Sequence, residues 1–555
     1  MDLYKLGRKI IPSSIRSSAA FSKIKTVYFF KLFSRRINRQ LKLTPSFHQS
    51  DKPYKGMRVL IPLLESSYFQ THHVLILAKI LELRGAVVKV LLCSEYLSGC
   101  ELKSIRNEDD HDPCWKCRFN IEHYLPLYGL NYIKINSFLS DKDISIIGDK
   151  VDKFIIQESH NDKTDKDLKT AIDESIIRYY YGLLPDESKE IESVRRKHTK
   201  TAITCDYIAK KIDSNWNPDI IFSNMFVYTT WAPFYNYFKN NGNRFRSITM
   251  TPFNYKAIVF NTMDLYPAIE RYKSYFAGND NKPLDENQNM VLDLFLNKRF
   301  TGKDDHFSNE GYFKKNNSID FQEKSNLDLT KRNIFLFSNI YWDIGIGEMN
   351  YLYPDVITWV LRTVEILANQ PDINLFVKTH PGEYYDPTKT KKGIAQIIRD
   401  KYKGNIPDNV ELIEPKSQVK PYDLFPIIDL GVVFSGTLAL EMMLNDVPVV
   451  STGITPHHQL SLAFEPKNEQ DYISCLLGDR PISKPSISEV RKFAYFYFIR
   501  SCMPWNLTDD VYASVFDGFN FSSLDDLAPK KNLLLDHLCE CIMNLENTTV
   551  DSWPD

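Results

Sequence analysis

Short apolar runs alternate with amphipathic stretches in two separate parts of the chain, and each alternation reads as strand followed by covering helix. Arg58-Val-Leu-Ile-Pro-Leu-Leu64 predicts a buried strand, 71–84 a helix that stops at Gly85, and 86–93 a second strand. Such a βαβ opening favours a parallel sheet covered on both faces. Helical periodicity fills 140–215, Pro218-Asp-Ile-Ile-Phe-Ser-Asn224 predicts another strand, and 227–240 another helix. In that last stretch Trp231, Phe234, Tyr235 and Phe238 fall at helical spacing, which assigns them to core packing rather than to sugar stacking.

The second series opens with Asn333-Ile-Phe-Leu-Phe-Ser-Asn339 as strand, followed by a helix over 355–368 and a strand over 374–378. Further strands are predicted at 410–413, 430–434 and 447–450, with a helix over 437–444 between the last two. The pattern is α/β and doubly wound, with one Rossmann-like half opening at 58 and another at 333. At 555 residues the chain exceeds the ~250 to 300 at which a single core stops growing, which suits two such domains. The expected division is a first domain over 51–300 with helical insertions, a polar linker over 301–330, a second domain over 331–483, and a helical tail over 484–555 that packs back across the boundary.

Charge adds a fifth segment. The net charge of −1 gives no reason to expect a nucleic-acid partner, yet residues 1–50 carry eleven Lys and Arg against the single acid Asp2. Ile24, Val27, Tyr28, Phe30, Phe33, Ile37 and Leu41 recur among them at roughly helical spacing. Two readings stand: an amphipathic helix on an anionic membrane surface, or a basic arm packed on a domain or left in solvent. No apolar run approaches the ~20 residues of a membrane span, and no cleavage site follows a hydrophobic stretch, so a cytoplasmic protein, peripheral at most, is expected.

Nine cysteines in a chain of this length do not make a disulfide framework. Cys93, Cys100, Cys114 and Cys117, the last two as Cys-Trp-Lys-Cys near His111, form a cluster whose spacing fits no standard zinc finger. Structural metal and plain thiols both remain open for it.

Chemistry concentrates in two places. Val432-Val-Phe-Ser-Gly-Thr-Leu-Ala-Leu-Glu441 stops a strand at Ser435-Gly436 and starts a helix at once, a geometry that aims backbone N–H groups at a phosphate. Ser435 and Thr437 would add hydroxyls, Gly436 would let a ligand approach, and Glu441, one turn on, could accept from a ribose diol. The competing reading is a helix cap with Glu441 in water. In Leu375-Phe-Val-Lys-Thr-His-Pro-Gly-Glu383, a strand end carries Lys378, His380 and Glu383 to the carboxyl edge of the same sheet, where open α/β sheets bind ligands.

Taken together, Lys378-Thr-His380-Pro381, Ser435-Gly-Thr437, Glu441 and Pro448-Val-Val450 resemble the capsule polysaccharide biosynthesis family and its Kdo- and sialyl-transferase relatives. The resemblance covers about 331–460 and implies a GT-B fold, two Rossmann-like domains facing a cleft. It further implies a metal-independent transferase without cofactor, whose nucleotide-sugar donor is held by His380, Ser435, Thr437 and Glu441. Phe337-Ser-Asn-Ile-Tyr-Trp-Asp343 resembles the Asn-x-x-Trp-Asp element of some members, placing Asn339 and Asp343 at the cleft, the latter as a catalytic group. For the base, the segment after the first strand offers Glu65, His72 and His73, of which His72 is the expected one. The acceptor implied is a surface glycan or glycolipid. An epimerase of the same fold and a non-catalytic assembly scaffold are the rival readings.

Overall fold

The computed structural model describes residues 52–65, 68–103, 113–157, 162–182, 189–250, 257–261, 268–278, 282–301, 325–343, 349–384, 389–417, 419–508 and 519–544, with scattered positions between 23 and 41. The basic arm therefore lies almost wholly outside the described residues, as do most of the polar linker and His111.

The described residues form two sheets. The first contains β1 (Arg58–Leu63), β2 (Val87–Leu92), β3 (Tyr132–Lys134), β4 (Ile220–Ser223), β5 (Phe245–Met250) and β6 (Ala257–Asn261). The second contains β7 (Arg332–Phe337), β8 (Ile373–Lys378), β9 (Val410–Ile413), β10 (Leu430–Val433) and β11 (Val449–Ser451). Their orders are β6-β5-β4-β1-β2-β3 and β11-β10-β7-β8-β9. All pairings from β3 to β5 and throughout the second sheet are parallel. Each sheet thus starts in its middle and winds outward to both sides, the Rossmann-like arrangement, so the chain contains two Rossmann-like α/β halves.

The strands are apolar on both faces, as Val-Leu-Ile-Pro-Leu in β1 and Asn-Ile-Phe-Leu-Phe in β7 show, and are buried almost end to end. Helix Val356–Leu367 covers one face of the second sheet. Asp355 caps its N-terminus by accepting the Thr358 N–H, and it buries Trp359, Val360 and Val364. Helix Tyr68–Leu83 covers the first sheet with Val74, Leu75, Leu77 and Ala78.

The tail crosses between the halves. Helix Ile487–Tyr495 packs Val490, Phe493 and Ala494 into the second domain's core, whereas β12 (Cys502–Pro504) adds an antiparallel strand to β6 of the first sheet. Helix Leu533–Met543 then buries Leu535, Leu538 and Ile542 in the first domain's core. Among the described residues, no helix is long and apolar enough to cross a membrane.

Candidate active site

In a doubly wound sheet, the crevice for ligands opens where neighbouring strands run to opposite sides, at their carboxyl ends. Here those points are the ends of β1 and β4 in the first sheet and of β7 and β10 in the second.

At the second point, the Asn339 amide bridges the two strand ends: its Nδ2 donates to the Ser435 carbonyl at 3.1 Å, and its Oδ1 accepts the Ser435 N–H at 3.4 Å. Asn339 is therefore a brace for the Ser435-Gly436-Thr437 turn. Gly436 sits at φ +109, a conformation that side-chain-bearing residues avoid, and among the described residues an added Cβ would meet only Asn339 Nδ2, at 3.9 Å.

The hydroxyls of the turn are engaged within the protein. Ser435 Oγ donates to the Ile454 carbonyl at 2.6 Å, and Thr437 Oγ1 donates to Glu441 Oε1 at 3.0 Å. Glu441 is buried and, rather than facing water, accepts from Arg299 Nε at 2.9 Å and Nη2 at 2.7 Å. Helix Leu438–Leu444 is only two turns long, so its dipole adds little to what the turn and its cations supply.

Lys378 ends β8 at the same edge. Its ammonium is buried with no hydrogen-bond partner among the described residues, and burial lowers its pKa to about 8. His380 follows and is solvent-exposed among the described residues. Its Nδ1 accepts the Gly382 N–H at 3.0 Å, which leaves the neutral ring with its proton on Nε2, a donor for a ligand. Loss of hydration, followed by the charge of Lys378, presses the pKa of this ring below the usual imidazole range, so it donates as a neutral group at pH 7.

Glu383 lies at the same edge, and its Oε1 is buried with no hydrogen-bond partner among the described residues. It is buried, and its Oε2 accepts the Ile394 N–H at 3.2 Å, fixing the start of helix Ile394–Lys401. Gly393 is needed there, because a Cβ would lie 2.6 Å from that oxygen.

At the first point, the structure sets His72 aside. It is fully buried in the core, with Nδ1 2.9 Å from the Tyr128 hydroxyl and its ring edge-on to Tyr124, and burial holds it neutral. His73 packs against Trp505 in the same core. The segment after the first strand does carry both histidines, but the helix turns their rings into the core. Glu65, directly after β1, occupies the edge. Its Oε2 is buried and has no hydrogen-bond partner among the described residues. Burial, with Glu101 close by, raises its pKa to about 8, against a smaller opposing pull from Arg178.

Glu65 lines a cavity of about 190 Å³ whose other walls include Leu64, Leu92, Leu97, Ile121 and Leu125. Cys93, Cys100, Cys114 and Cys117 all border it, so the cluster read from the sequence is real as a neighbourhood. Among the described residues, no three His, Cys, Asp or Glu are arranged to hold a metal ion. Burial raises the Cys93 and Cys100 thiols further from ionisation.

The two edges meet across Arg178. Its guanidinium lies 4.9 Å from the Trp342 ring and 5.4 Å from that of Tyr181, and it feels the charges of Asp343 and Glu65. Around it the halves are joined by the Tyr341 hydroxyl, 2.8 Å from the carbonyls of Gly182 and Lys392, and by the Lys391 N–H on the Tyr181 carbonyl at 3.2 Å. Tyr228 completes the junction from the end of β4. It is held at φ +66, with its hydroxyl buried and unpartnered among the described residues, and it too senses Arg178 and Asp343.

Arg178, Glu101, Tyr228 and Arg299 were not read from the sequence, since none stands at a fixed offset from a recognisable motif. An arginine after a strand-free helical stretch carries no mark of the side chain it will meet some 160 residues later.

No protein-family model matches the chain, and no curated protein is similar to it. Among solved structures, the chain is similar to a KpsC beta Kdo 2,4 transferase of Thermosulfurimonas dismutans, at 12% identity over 51% of this chain and 80% of that one, with a TM-score of 0.34. A beta Kdo 2,7 transferase KpsC of the same organism gives 12%, 52%, 79% and 0.30. A putative UDP-N-acetylglucosamine 2-epimerase of Listeria monocytogenes gives 10%, 80%, 95% and 0.23.

Proposed function

We propose that the chain is a metal-independent glycosyltransferase: a nucleotide-activated sugar at the edge of the second sheet gives up its glycosyl group to a hydroxyl of a glycan or glycolipid held at the edge of the first. The observation that carries this reading is a buried ionisable group with an unpartnered polar atom at each crevice, the Lys378 ammonium on one side and Glu65 Oε2 on the other, both without a hydrogen-bond partner among the described residues. A buried ionisable group without a partner is costly, and such groups cluster where a ligand completes them.

In this reading Lys378 and the Nε2–H of His380 bind the phosphates and stabilise the charge that develops on the leaving nucleotide. Glu65 takes the proton of the attacking hydroxyl, and Asp343 acts through Arg178, keeping the cation placed between donor and acceptor sides. The largely apolar cavity beside Glu65 suits the body of the acceptor. The basic arm belongs, in the same reading, on the anionic cytoplasmic face of a membrane, beside a lipid-linked acceptor.

Titration calorimetry with nucleoside diphosphates and nucleoside monophosphates tests the donor side. The wild-type chain should bind one base preferentially, and His380→Ala should weaken it by ~1.5 to 3 kcal/mol, the worth of a charge-assisted hydrogen bond. Equal affinity for the folded variant would remove His380 from the site.

A further inference from the structure

We propose that Glu101 is the positioning residue of the acceptor-side edge: it carries the negative charge of a carboxyl pair with Glu65, and the hydrogen bonds that hold this charge also fix Tyr228 and the helix of Arg178. The inference rests on the reading of Glu65 as the base. It adds what keeps that base basic and what keeps its neighbours in place.

The two carboxyls have different surroundings. Glu101 Oε2 accepts from the Thr230 hydroxyl at 2.7 Å, and its Oε1 accepts from the Ser175 hydroxyl at 3.1 Å. Thr230 stands in the first turn of helix Tyr228–Asn240, so the Glu101 carboxylate also lies at the positive end of that helix. Glu65 Oε2, by contrast, has no hydrogen-bond partner among the described residues. Two neighbouring carboxyls do not ionise together readily, and the charge settles on the one whose ionised form is hydrogen-bonded. Burial raises both groups; Thr230, Ser175 and Arg178 pull Glu101 back, whereas the charge of Glu101 pushes Glu65 further up. Cys100, Cys205 and Tyr228 also sense Glu101, and burial keeps all three neutral.

The same bonds hold the backbone. Tyr228 opens its helix at φ +66, which a bulky side chain avoids. Directly after it, the Thr229 N–H donates to Ser175 Oγ at 3.0 Å, and the Thr229 hydroxyl lies 3.0 Å from His198 Nδ1. Ser175, His198, Thr229 and Thr230 are all buried. Ser175 precedes Arg178 by three positions on helix Lys163–Tyr180, which puts both on one face. Backbone strain persists where its surroundings over-determine it, and here Ser175 and Thr230 converge on Glu101. One carboxylate thus ties together the strained tyrosine, the helix of the cation and the base.

Infrared titration tests the pairing without turnover. Subtracting the spectrum of the Glu65→Gln counterpart isolates the Glu65 carboxyl in wild-type, Glu101→Gln and Glu101→Asp backgrounds. In the wild type it should be protonated at pH 7 and titrate near pH 8. Glu101→Gln removes the neighbouring charge, so the Glu65 midpoint should fall by about one pH unit or more. The rising limb of kcat, read as acceptor-dependent nucleotide release at saturating donor, should move the same distance toward acid. Glu101→Asp keeps the charge but not the reach, so the midpoint should stay while kcat falls about ten- to hundredfold. An unmoved midpoint in Glu101→Gln, or a Glu65 already ionised at pH 7 in the wild type, would overturn the proposal. The wild-type arm alone decides which carboxyl holds the proton, so the test survives a Glu101→Gln that does not fold. Absence of any transfer product from the wild-type chain would instead overturn the transferase reading, and the role given to the pair with it, whatever the midpoints.

Discussion

Glu65→Gln should abolish most turnover while leaving donor binding intact. The change is isosteric and leaves the packing in place, and Oε2 of the native carboxyl has no hydrogen-bond partner among the described residues. Loss of a positioned general base costs typically 10²- to 10⁴-fold, so kcat should fall by about three orders of magnitude with unchanged nucleotide affinity. The pH dependence has a definite sign. Burial raises Glu65 to about 8, so it is mostly protonated at pH 7 and its basic form accumulates above pH 8. Lys378, lowered to about 8, loses its charge over the same interval. For kcat/KM of the donor the two effects oppose each other: the profile should rise as Glu65 ionises and fall as Lys378 loses its charge. Under saturating donor, phosphate holds Lys378 protonated, and kcat should keep rising through pH 8. Glu65→Gln should lack the rising limb. A variant as active as wild type would return the base to an unassigned group.

Lys378→Met should make the protein more stable and much poorer at binding nucleotide. Met preserves the length of the chain and removes an ammonium that burial disfavours by more than two pH units relative to its usual 10.5. At 1.36 kcal/mol per unit, the gain is on the order of 2 to 4 kcal/mol at pH 7. Because the folded pKa is depressed, the penalty of the wild-type lysine is present in full below about pH 8 and fades as pH rises toward 10.5. The stabilisation should fade with it. Chemical denaturation at pH 7 and pH 10, beside nucleotide titration at pH 7, reads both effects. A destabilised Lys378→Met would mean that the ammonium is satisfied in the ligand-free protein and that no ligand is needed to explain it.

The sequence carried the sheets because a parallel strand buried on both faces is a continuous apolar run. β1, β7 and β8 are legible from Val-Leu-Ile, Ile-Phe-Leu-Phe and Leu-Phe-Val alone. The crossing tail was legible only in part. Its helices follow from periodicity, whereas Cys502-Met-Pro is too short to announce a strand, and its pairing with β6 is a tertiary choice.

In the site, motif residues fall at the right edge, yet their hydrogen-bond roles differ from the simplest reading. Ser435 and Thr437 have hydroxyls of the right kind, but which acceptor takes each proton depends on Ile454 and Glu441, placed by other turns of the chain. His72 and Glu65 lie seven residues apart at the same strand-to-helix junction. Only the direction of helix Tyr68–Leu83 decides that the histidine enters the core. The cations at the ends of long helices, Arg178 and Arg299, were beyond reach for the same reason.

The central claim is transfer between the two crevices, and acceptor-dependent nucleotide release tests it most directly. Pure full-length protein would be incubated with a panel of nucleotide sugars, with and without extracted glycolipid and oligosaccharide acceptors, and both nucleotide and sugar products followed by chromatography and mass spectrometry. The account predicts stoichiometric nucleotide and glycosylated acceptor from one donor class, only when acceptor is present, and with Glu65→Gln reduced by about three orders of magnitude. Isomerisation of the sugar without acceptor, or binding of donor with no product under any pairing, would contradict it.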